Sequence, residues 1–164
     1  MELDVASFDE DLGRSTVGAR PQRVFVAEDD EDTREAIVAA LAEEGHEVVG
    51  LEDGTELVEC LRIVARESFR APDLIAMDVC MPGHSGIDIL EALRSQGCGT
   101  PVVLFSGVLT EDLRLRVARA GSSALLRKPF HLVELSKAVR EARPLPRAPG
   151  SQPPVITKDP PGRT

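Results

Sequence analysis

The stretch Val24-Phe25-Val26-Ala27-Glu28-Asp29-Asp30 is a short apolar run that ends abruptly in three carboxylates. A second stretch, Asp73-Leu74-Ile75-Ala76-Met77-Asp78, has the same form and also ends in a carboxylate. Short, continuous apolar runs of this kind are typical of strands that are buried on both faces of a parallel sheet. Each stretch therefore predicts a buried strand that carries acidic residues at its carboxyl end.

The same pattern recurs along the chain and predicts five strands: Arg23–Ala27, Glu47–Leu51, Leu74–Met77, Val102–Phe105 and Ala124–Leu126. The segments between them show apolar residues at helical spacing, as in Leu57, Leu61 and Val64. Strands that alternate with helices predict an α/β fold with a doubly wound, five-stranded parallel sheet in a three-layer sandwich. In such folds the functional groups lie at the carboxyl ends of the strands, near the point where the strand order reverses.

Composition narrows the class of protein. The 164 residues suit one domain, and with 42% hydrophobic and only 3% aromatic residues the core must be largely aliphatic. A net charge of −9 argues against nucleic-acid binding. No apolar run is long enough to span a membrane and the acidic start is unlike a signal peptide, so a cytoplasmic location is expected. Cys60, Cys80 and Cys98 match neither a disulfide framework nor a zinc site.

The chain divides into three parts by composition. Residues 1–21 are expected to form a flexible acidic arm, because they show no sustained periodicity. Residues 22–143 hold all the predicted strands and helices and form the folded domain. Residues 144–164 are rich in proline and glycine and are expected to be a disordered tail.

Five polar side chains follow the predicted strands at one edge of the sheet: Glu28, Asp29, Asp78, Ser106 and Lys128. Clustered carboxylates repel one another unless a cation neutralises them, and Mg²⁺ prefers such oxygen ligands. Asp78 could then attack a phosphorus atom as a nucleophile. Lys128 would neutralise the phosphoryl group and Ser106 would donate a hydrogen bond to it. The product would be an aspartyl phosphate.

In order and at these positions, the motifs resemble the response-regulator receiver family over about residues 22 to 143. The resemblance is carried by Val24–Asp30, by Asp73–Asp78 with Met81-Pro82-Gly83 and Gly86, by Pro101–Gly107, and by Lys128-Pro129-Phe130. It implies a flavodoxin-like (βα)5 fold. It also implies a phosphorylatable signalling switch, a phosphoacceptor that assists its own phosphorylation and dephosphorylation rather than an enzyme.

For the individual residues, the resemblance implies that Asp78 is the phosphoacceptor. Glu28 and Asp29 would form the acidic pair that, with Asp78 and the backbone carbonyl of Cys80, holds Mg²⁺ or Mn²⁺. Family members usually have Asp where this chain has Glu28. The longer side chain could reach a metal-bound water or crowd the site.

The resemblance further implies that Ser106 is the switch hydroxyl and that Lys128 is the family's lysine, with a cis bond to Pro129. Leu125 departs from the pattern, because the family often has Tyr or Phe at that position. The aromatic side chain usually rotates inward when the switch hydroxyl moves toward the phosphoryl group. Leucine therefore puts the activation relay in doubt, while the residues for phosphorylation are all present.

The expected phosphodonor is a histidine kinase or a histidine phosphotransfer protein. Output would come from contact with another protein or from onward phosphotransfer, with neither nucleic acid nor membrane as a partner. The fourth helix, fifth strand and fifth helix could form a partner or homodimer face. Two alternatives are a constitutive binding module that is never phosphorylated and a Mg²⁺-dependent phosphatase. The phosphatase is disfavoured because such enzymes typically need an Asp where this chain has Cys80.

Overall fold

The computed structural model describes residues 20–122 and 124–146. Most of the expected arm and tail, residues 1–19 and 147–164, lies outside the described residues. The strands are β1 (Arg23–Ala27), β2 (Glu47–Leu51), β3 (Leu74–Asp78), β4 (Val102–Ser106) and β5 (Ala124–Arg127). The helices are α1 (Glu31–Glu43), α2 (Gly54–Arg66), α3 (Gly86–Ser95), α4 (Glu111–Ala120) and α5 (Leu132–Glu141). The predicted alternation is confirmed.

All five strands are parallel and form one sheet in the order β2-β1-β3-β4-β5. The predicted doubly wound sheet is therefore confirmed. The strand order reverses between β1 and β3, where Ala27 pairs with Met77. This register places the residues that follow β1 beside Asp78, at the position where such folds bind ligands. Asp78, Ser106 and Arg127 each extend a strand by one residue beyond its predicted end.

Aliphatic side chains bury both faces of the sheet. On one face α1 and α5 contribute Ile37, Leu41, Leu135 and Val139. On the other face α2, α3 and α4 contribute a second buried cluster, which includes Leu57, Leu61, Leu90, Leu93 and Val117. The largest buried aromatic side chains are Phe25 and Phe105. The three-layer arrangement fixes the strand ends, and with them the candidate site. Among the described residues no helix combines the length and apolarity needed to cross a bilayer.

Helices α1 to α4 each begin at a side chain that accepts a hydrogen bond from the first turn. Asp30 caps α1 by accepting a hydrogen bond from the Thr33 amide, at 2.9 Å. Thr110 caps α4 in the same way, through the Leu113 amide at 3.1 Å. Gly121 ends α4 with a φ of 79°, the left-handed conformation that favours glycine. These caps fix where α1 and α4 start relative to the acidic strand ends.

Gly86 lets α3 begin directly against the backbone of Asp78. A Cβ at Gly86 would overlap the Asp78 carbonyl oxygen, whereas a Cβ at Gly107 would meet no atom within 4 Å. We expect Gly86→Ala to lower the free energy of unfolding by about 1–3 kcal/mol, because backbone must shift to admit the methyl group. Urea unfolding would measure this, with Gly107→Ala, expected within about 0.5 kcal/mol of wild type, as the control. An unchanged midpoint for Gly86→Ala would show that α3 can move away at no cost.

Candidate functional site

Three carboxylates meet where β1 and β3 end. One oxygen from each of Glu28, Asp29 and Asp78 lies within 4.8 Å of the others. Glu28 and Asp78 are buried, at 0% and 4% exposure, whereas Asp29 is exposed. The exposed carboxylate gives the cluster an open side. The structure thus brings together the three carboxylates that the sequence analysis placed at one edge of the sheet.

Lys128 lies between the two buried carboxylates. Its Nζ is 2.7 Å from Oε2 of Glu28 and also contacts Oδ2 of Asp78. The Lys128–Pro129 peptide bond is cis, as the sequence resemblance implied. One ammonium against three carboxylates leaves an excess of negative charge at this strand edge. That excess, together with oxygen-only side-chain donors, fits a hard divalent cation such as Mg²⁺.

Glu28 is held by contacts that the sequence did not reveal. Its Oε1 accepts a hydrogen bond from the Asp30 amide at 3.0 Å, and Arg34 donates to its backbone carbonyl at 2.8 Å. Burial raises the pKa of Glu28 above its ordinary value, even though a hydrogen bond from Lys128 acts in the opposite direction. For Lys128, burial lowers the pKa, but the hydrogen bonds to Asp78 and Glu28 outweigh burial and the net shift is upward. The two side chains therefore stabilise each other's charge.

The carboxylate of Asp78 is oriented by its own loop. Its Oδ1 accepts a hydrogen bond from the Cys80 amide at 2.8 Å, while Oδ2 faces Lys128. The Val79 amide donates to the Phe105 carbonyl at 2.9 Å, which joins this loop to β4. Cys80 thus contributes its N–H to the site. A role for its carbonyl as a metal ligand stays a prediction.

Ser106 ends β4 and is buried, but its hydroxyl does not bond to Asp78. It donates to the Val108 carbonyl at 2.8 Å and accepts from the Val108 amide at 3.2 Å. The Ser106 carbonyl accepts from the Lys128 amide at 2.9 Å, which ties the two strand ends together. A phosphoryl group on Asp78 would therefore have to compete with the Val108 backbone for this hydroxyl.

Leu125 pairs with Leu104 across the β4–β5 ladder. Its side chain is partly buried and packs against the core cluster formed by α2, α3 and α4. On the opposite face, the rings of Phe105 and Phe130 contact each other in a tilted arrangement, with a centroid distance of 5.4 Å. The Leu125 side chain therefore points toward the core beside β4. In this same conformation of the protein, the Ser106 hydroxyl bonds to the Val108 backbone.

The contact between Glu28 and Lys128 is the feature that sequence reasoning missed. The sequence predicted that Lys128 would face a phosphoryl group, and it treated Glu28 as a metal ligand only. A signal was present, since Glu28 immediately follows four residues of a fully buried strand. A carboxylate at such a buried position requires a positively charged partner. Lys128, which follows β5 at the same edge of the sheet, was the candidate.

Comparison with known proteins agrees with this geometry. The sequence profile described as "Response regulator receiver domain" matches residues 24–140. The transcriptional regulatory protein PdtaR of Mycobacterium tuberculosis is 38% identical over 125 residues, covering 76% of this chain and 58% of that protein. The Francisella response regulator 1452 receiver domain superposes with a TM-score of 0.62 at 29% identity, covering 73% of this chain and 96% of that one.

The chemotaxis protein CheY4 of Vibrio cholerae shares the fold, with a TM-score of 0.64 at 24% identity over 76% of this chain and all of that one. The matched regions differ in extent. The chain spans nearly the whole of these solved receiver structures, but only 58% of PdtaR and 49% of the response regulator MprA of Mycobacterium leprae. It thus spans about half the length of such curated relatives.

Proposed function

This chain belongs to the response regulator receiver domain family, a family of signalling switches, and from that premise we propose that Asp78 accepts a phosphoryl group in a Mg²⁺-dependent reaction. The observation that carries the proposal is the placement of the Asp78 carboxylate between two further carboxylates and the Lys128 ammonium. The alternative, a binding module that is never phosphorylated, would be favoured by loss of the acidic cluster or of the lysine. The geometry retains both.

The acidic cluster supports a metal site formed by Glu28, Asp29 and Asp78, with the Cys80 carbonyl as a further ligand. When bound, Mg²⁺ or Mn²⁺ would supply positive charge beside the phosphoryl oxygens. Asp29 is the exposed carboxylate of the three, so an ion that enters from solvent would meet it first. Glu28 is buried and bonded to Lys128, so we assign it the inner, buried side of the site.

In the transfer itself, an oxygen of Asp78 forms a bond to phosphorus as the bond from phosphorus to the donor's imidazole nitrogen breaks. The electron pair of that bond stays on the nitrogen. Lys128, already at Oδ2 of Asp78, is placed to neutralise charge on the transferred group. Ser106 would exchange its Val108 partner for a phosphoryl oxygen. Water attack on the acyl phosphate would reset the switch, so the chain assists both steps without being an enzyme.

The proposed phosphodonor is a histidine kinase or a histidine phosphotransfer protein in the cytoplasm. Output would pass through protein contact, including homodimerisation through the face of α4, β5 and α5, or through onward phosphotransfer. Several relatives, PdtaR among them, are named as transcriptional regulators, and each is longer than the region matched here. That this chain itself binds no nucleic acid stays a prediction. The direct test of the proposal is intact-mass measurement after incubation with acetyl phosphate and Mg²⁺.

Asp29→Ala should separate metal binding from stability. We expect Mg²⁺ affinity to fall at least about tenfold. Mutating a residue that only hydrogen-bonds to a metal ligand already costs that much, and Asp29→Ala removes a proposed ligand itself. Phosphorylation by acetyl phosphate should fall with it. The metal-free protein should be at least as stable as wild type, because one of three mutually repelling carboxylates is gone. Calorimetric Mg²⁺ titration and thermal unfolding would measure the two effects. Lower metal-free stability would instead assign Asp29 a structural role.

We expect phosphorylation to change the populations of the inactive and active-like conformations only modestly, because Leu125 stands where relatives often have an aromatic residue. With leucine, the two conformations differ less in packing energy than they would with an aromatic ring. A ligand shifts such an equilibrium only by the difference between its affinities for the two conformations. We expect relaxation-dispersion NMR on the loop after Phe105 to detect the active-like state before any phosphoryl mimic is added. Leu125→Tyr should enlarge the response to beryllium fluoride and Ser106→Ala should reduce it. A large, all-or-none change in the wild type would show that another residue carries the relay.

A further inference from the structure

A cavity of about 910 Å³ lies at the amino-terminal edge of the sheet, opposite to the edge that holds Asp78. Its walls come from the segments that precede β1, β3 and β4 and from the carboxyl-terminal end of α5. Its volume is in the range of small-molecule sites. We propose that this cavity binds a small molecule that carries at least two anionic phosphate or carboxylate groups. The proposal is independent of phosphorylation at Asp78.

The charge of the lining carries the proposal. The described residues that line the cavity include a single carboxylate, Asp73, and four arginines, Arg20, Arg70, Arg140 and Arg143. In a chain with a net charge of −9 and only 19 Lys and Arg residues, this is a local reversal of sign. Asp73 is already engaged, since its Oδ2 accepts from the Arg23 amide and from Arg70, each at 2.8 Å. It has little capacity to neutralise the other guanidinium groups.

Two of the four guanidinium groups lack a carboxylate partner among the described residues. Arg143 donates only to backbone carbonyls, those of Arg140 at 2.8 Å and Ala142 at 2.9 Å. For Arg20 the described part of the chain provides no ion pair at all. Arg140 makes a long pair, with its Nη1 3.5 Å from Glu44. Arg70 shares its charge between the 2.8 Å contact with Asp73 and a longer one, 3.7 Å, with Glu47. An anionic ligand would supply the missing partner.

The walls are held in place by backbone contacts. The Leu145 amide donates to the Gly99 carbonyl at 2.9 Å, so the segment after α5 is fixed to the segment before β4. The Asp73 amide donates to the Arg23 carbonyl at 2.8 Å, which joins the segments before β1 and β3. Three prolines in the lining, Pro21, Pro101 and Pro144, restrict the backbone further. A ligand would therefore enter a preformed site, which lowers the entropy lost on binding.

The lining also indicates what kind of ligand fits. A guanidinium presents donors in a planar fork that matches phosphate and carboxylate oxygens. Among the described residues no aromatic side chain lines the cavity, so these walls have no ring to stack on a nucleobase. Gln22 adds an amide whose buried oxygen accepts no hydrogen bond from the described residues, and rotation of that amide would present its NH₂ group. These groups favour a compact polyanion over a nucleotide.

The test is an NMR titration of the full chain at low ionic strength in metal-free buffer, with pyrophosphate and succinate as separate probes. We expect saturable shifts in the amides of Gln22 and Arg143. Arg20→Gln/Arg143→Gln should weaken binding about tenfold or more, because two charge-assisted hydrogen bonds are lost. The matched control is Arg114→Gln/Arg119→Gln on the exposed face of α4, which removes the same charge and should leave affinity unchanged. The probe that binds more tightly identifies the ligand's anionic group.

Three results would overturn the proposal: no saturation with either probe, equal weakening in both double variants, or shifts centred on Ser106 and Lys128. Equal weakening would reduce the effect to overall charge. Shifts at the other edge would assign the anion to the phosphorylation site. Because Arg20 and Arg143 form no ion pair with a carboxylate in the described part of the chain, the variant should keep the wild-type unfolding midpoint. Arg143→Lys, which keeps the charge and loses the fork, gives a second measurement, and it should bind more weakly than wild type.

Discussion

Asp78→Asn should reduce phosphorylation by acetyl phosphate and Mg²⁺ to background. The amide keeps the size and the Oδ1 acceptor of the carboxylate, so the hydrogen bond from the Cys80 amide at 2.8 Å can persist. It lacks the anionic oxygen that would attack phosphorus. Lys128 loses one carboxylate but keeps its 2.7 Å contact with Glu28, and the fold should remain intact. Phosphorylation should therefore be lost while the free energy of unfolding changes little.

Intact-mass measurement would follow the reaction, and hydroxylamine should release the phosphoryl group from the wild type, because it attacks acyl phosphates. Asp112→Asn is the matched control, since Asp112 is exposed on α4 and belongs to no carboxylate cluster of the described residues. It should be phosphorylated like wild type. Undiminished labelling of the Asp78→Asn variant would place the phosphoacceptor elsewhere. An unlabelled wild type would favour the constitutive binding module.

The order of strands and helices could be predicted because the apolar runs are short, regular and separated by helical spacing. Asp73–Asp78 is a clear example, with every residue of β3 buried as a strand in the middle of a parallel sheet should be. The convergence of Asp29, Asp78 and Lys128 followed from topology alone, because the carboxyl ends of parallel strands share one edge. Strand position is a backbone property that hydrophobic pattern largely determines.

What could not be predicted depends on side-chain direction. Nothing in the sequence shows that the Ser106 hydroxyl bonds to the Val108 backbone, since that requires the geometry of the loop after β4. The arginine-lined cavity could not be predicted either, because Arg20 and Arg143 are far apart in the chain and the fold of the sheet brings them to one cavity. The pairing of Glu28 with Lys128 also depends on which way each side chain turns at its strand end.

That pairing leads to the second large effect. Lys128→Met should lower the free energy of unfolding by about 2–3 kcal/mol near neutral pH, because removing one partner of a buried ion pair leaves an uncompensated charge. This loss is smaller than the about 3–5 kcal/mol that is usual for a fully buried pair, since the Lys128 side chain is 25% exposed. Methionine keeps much of the apolar stem, so the loss reports mainly on charge. Lys137→Met removes an exposed lysine 4.0 Å from Glu141 and should change stability by under about 0.5 kcal/mol.

Adding Glu28→Gln to Lys128→Met should recover part of the lost stability, because one of the two buried carboxylates that lost the ammonium is then neutral. The single variant should also be pH-dependent. Without the hydrogen bond from Lys128, which lowers the pKa of Glu28, burial raises that pKa further above its value in the unfolded chain. The folded state then binds the proton more tightly, so stability falls as pH rises above the ordinary range of glutamate. Urea unfolding should show a smaller loss at pH 5 than at pH 7. An equal loss at both pH values, with no rescue by Glu28→Gln, would mean that Lys128 stabilises the fold through packing rather than through charge.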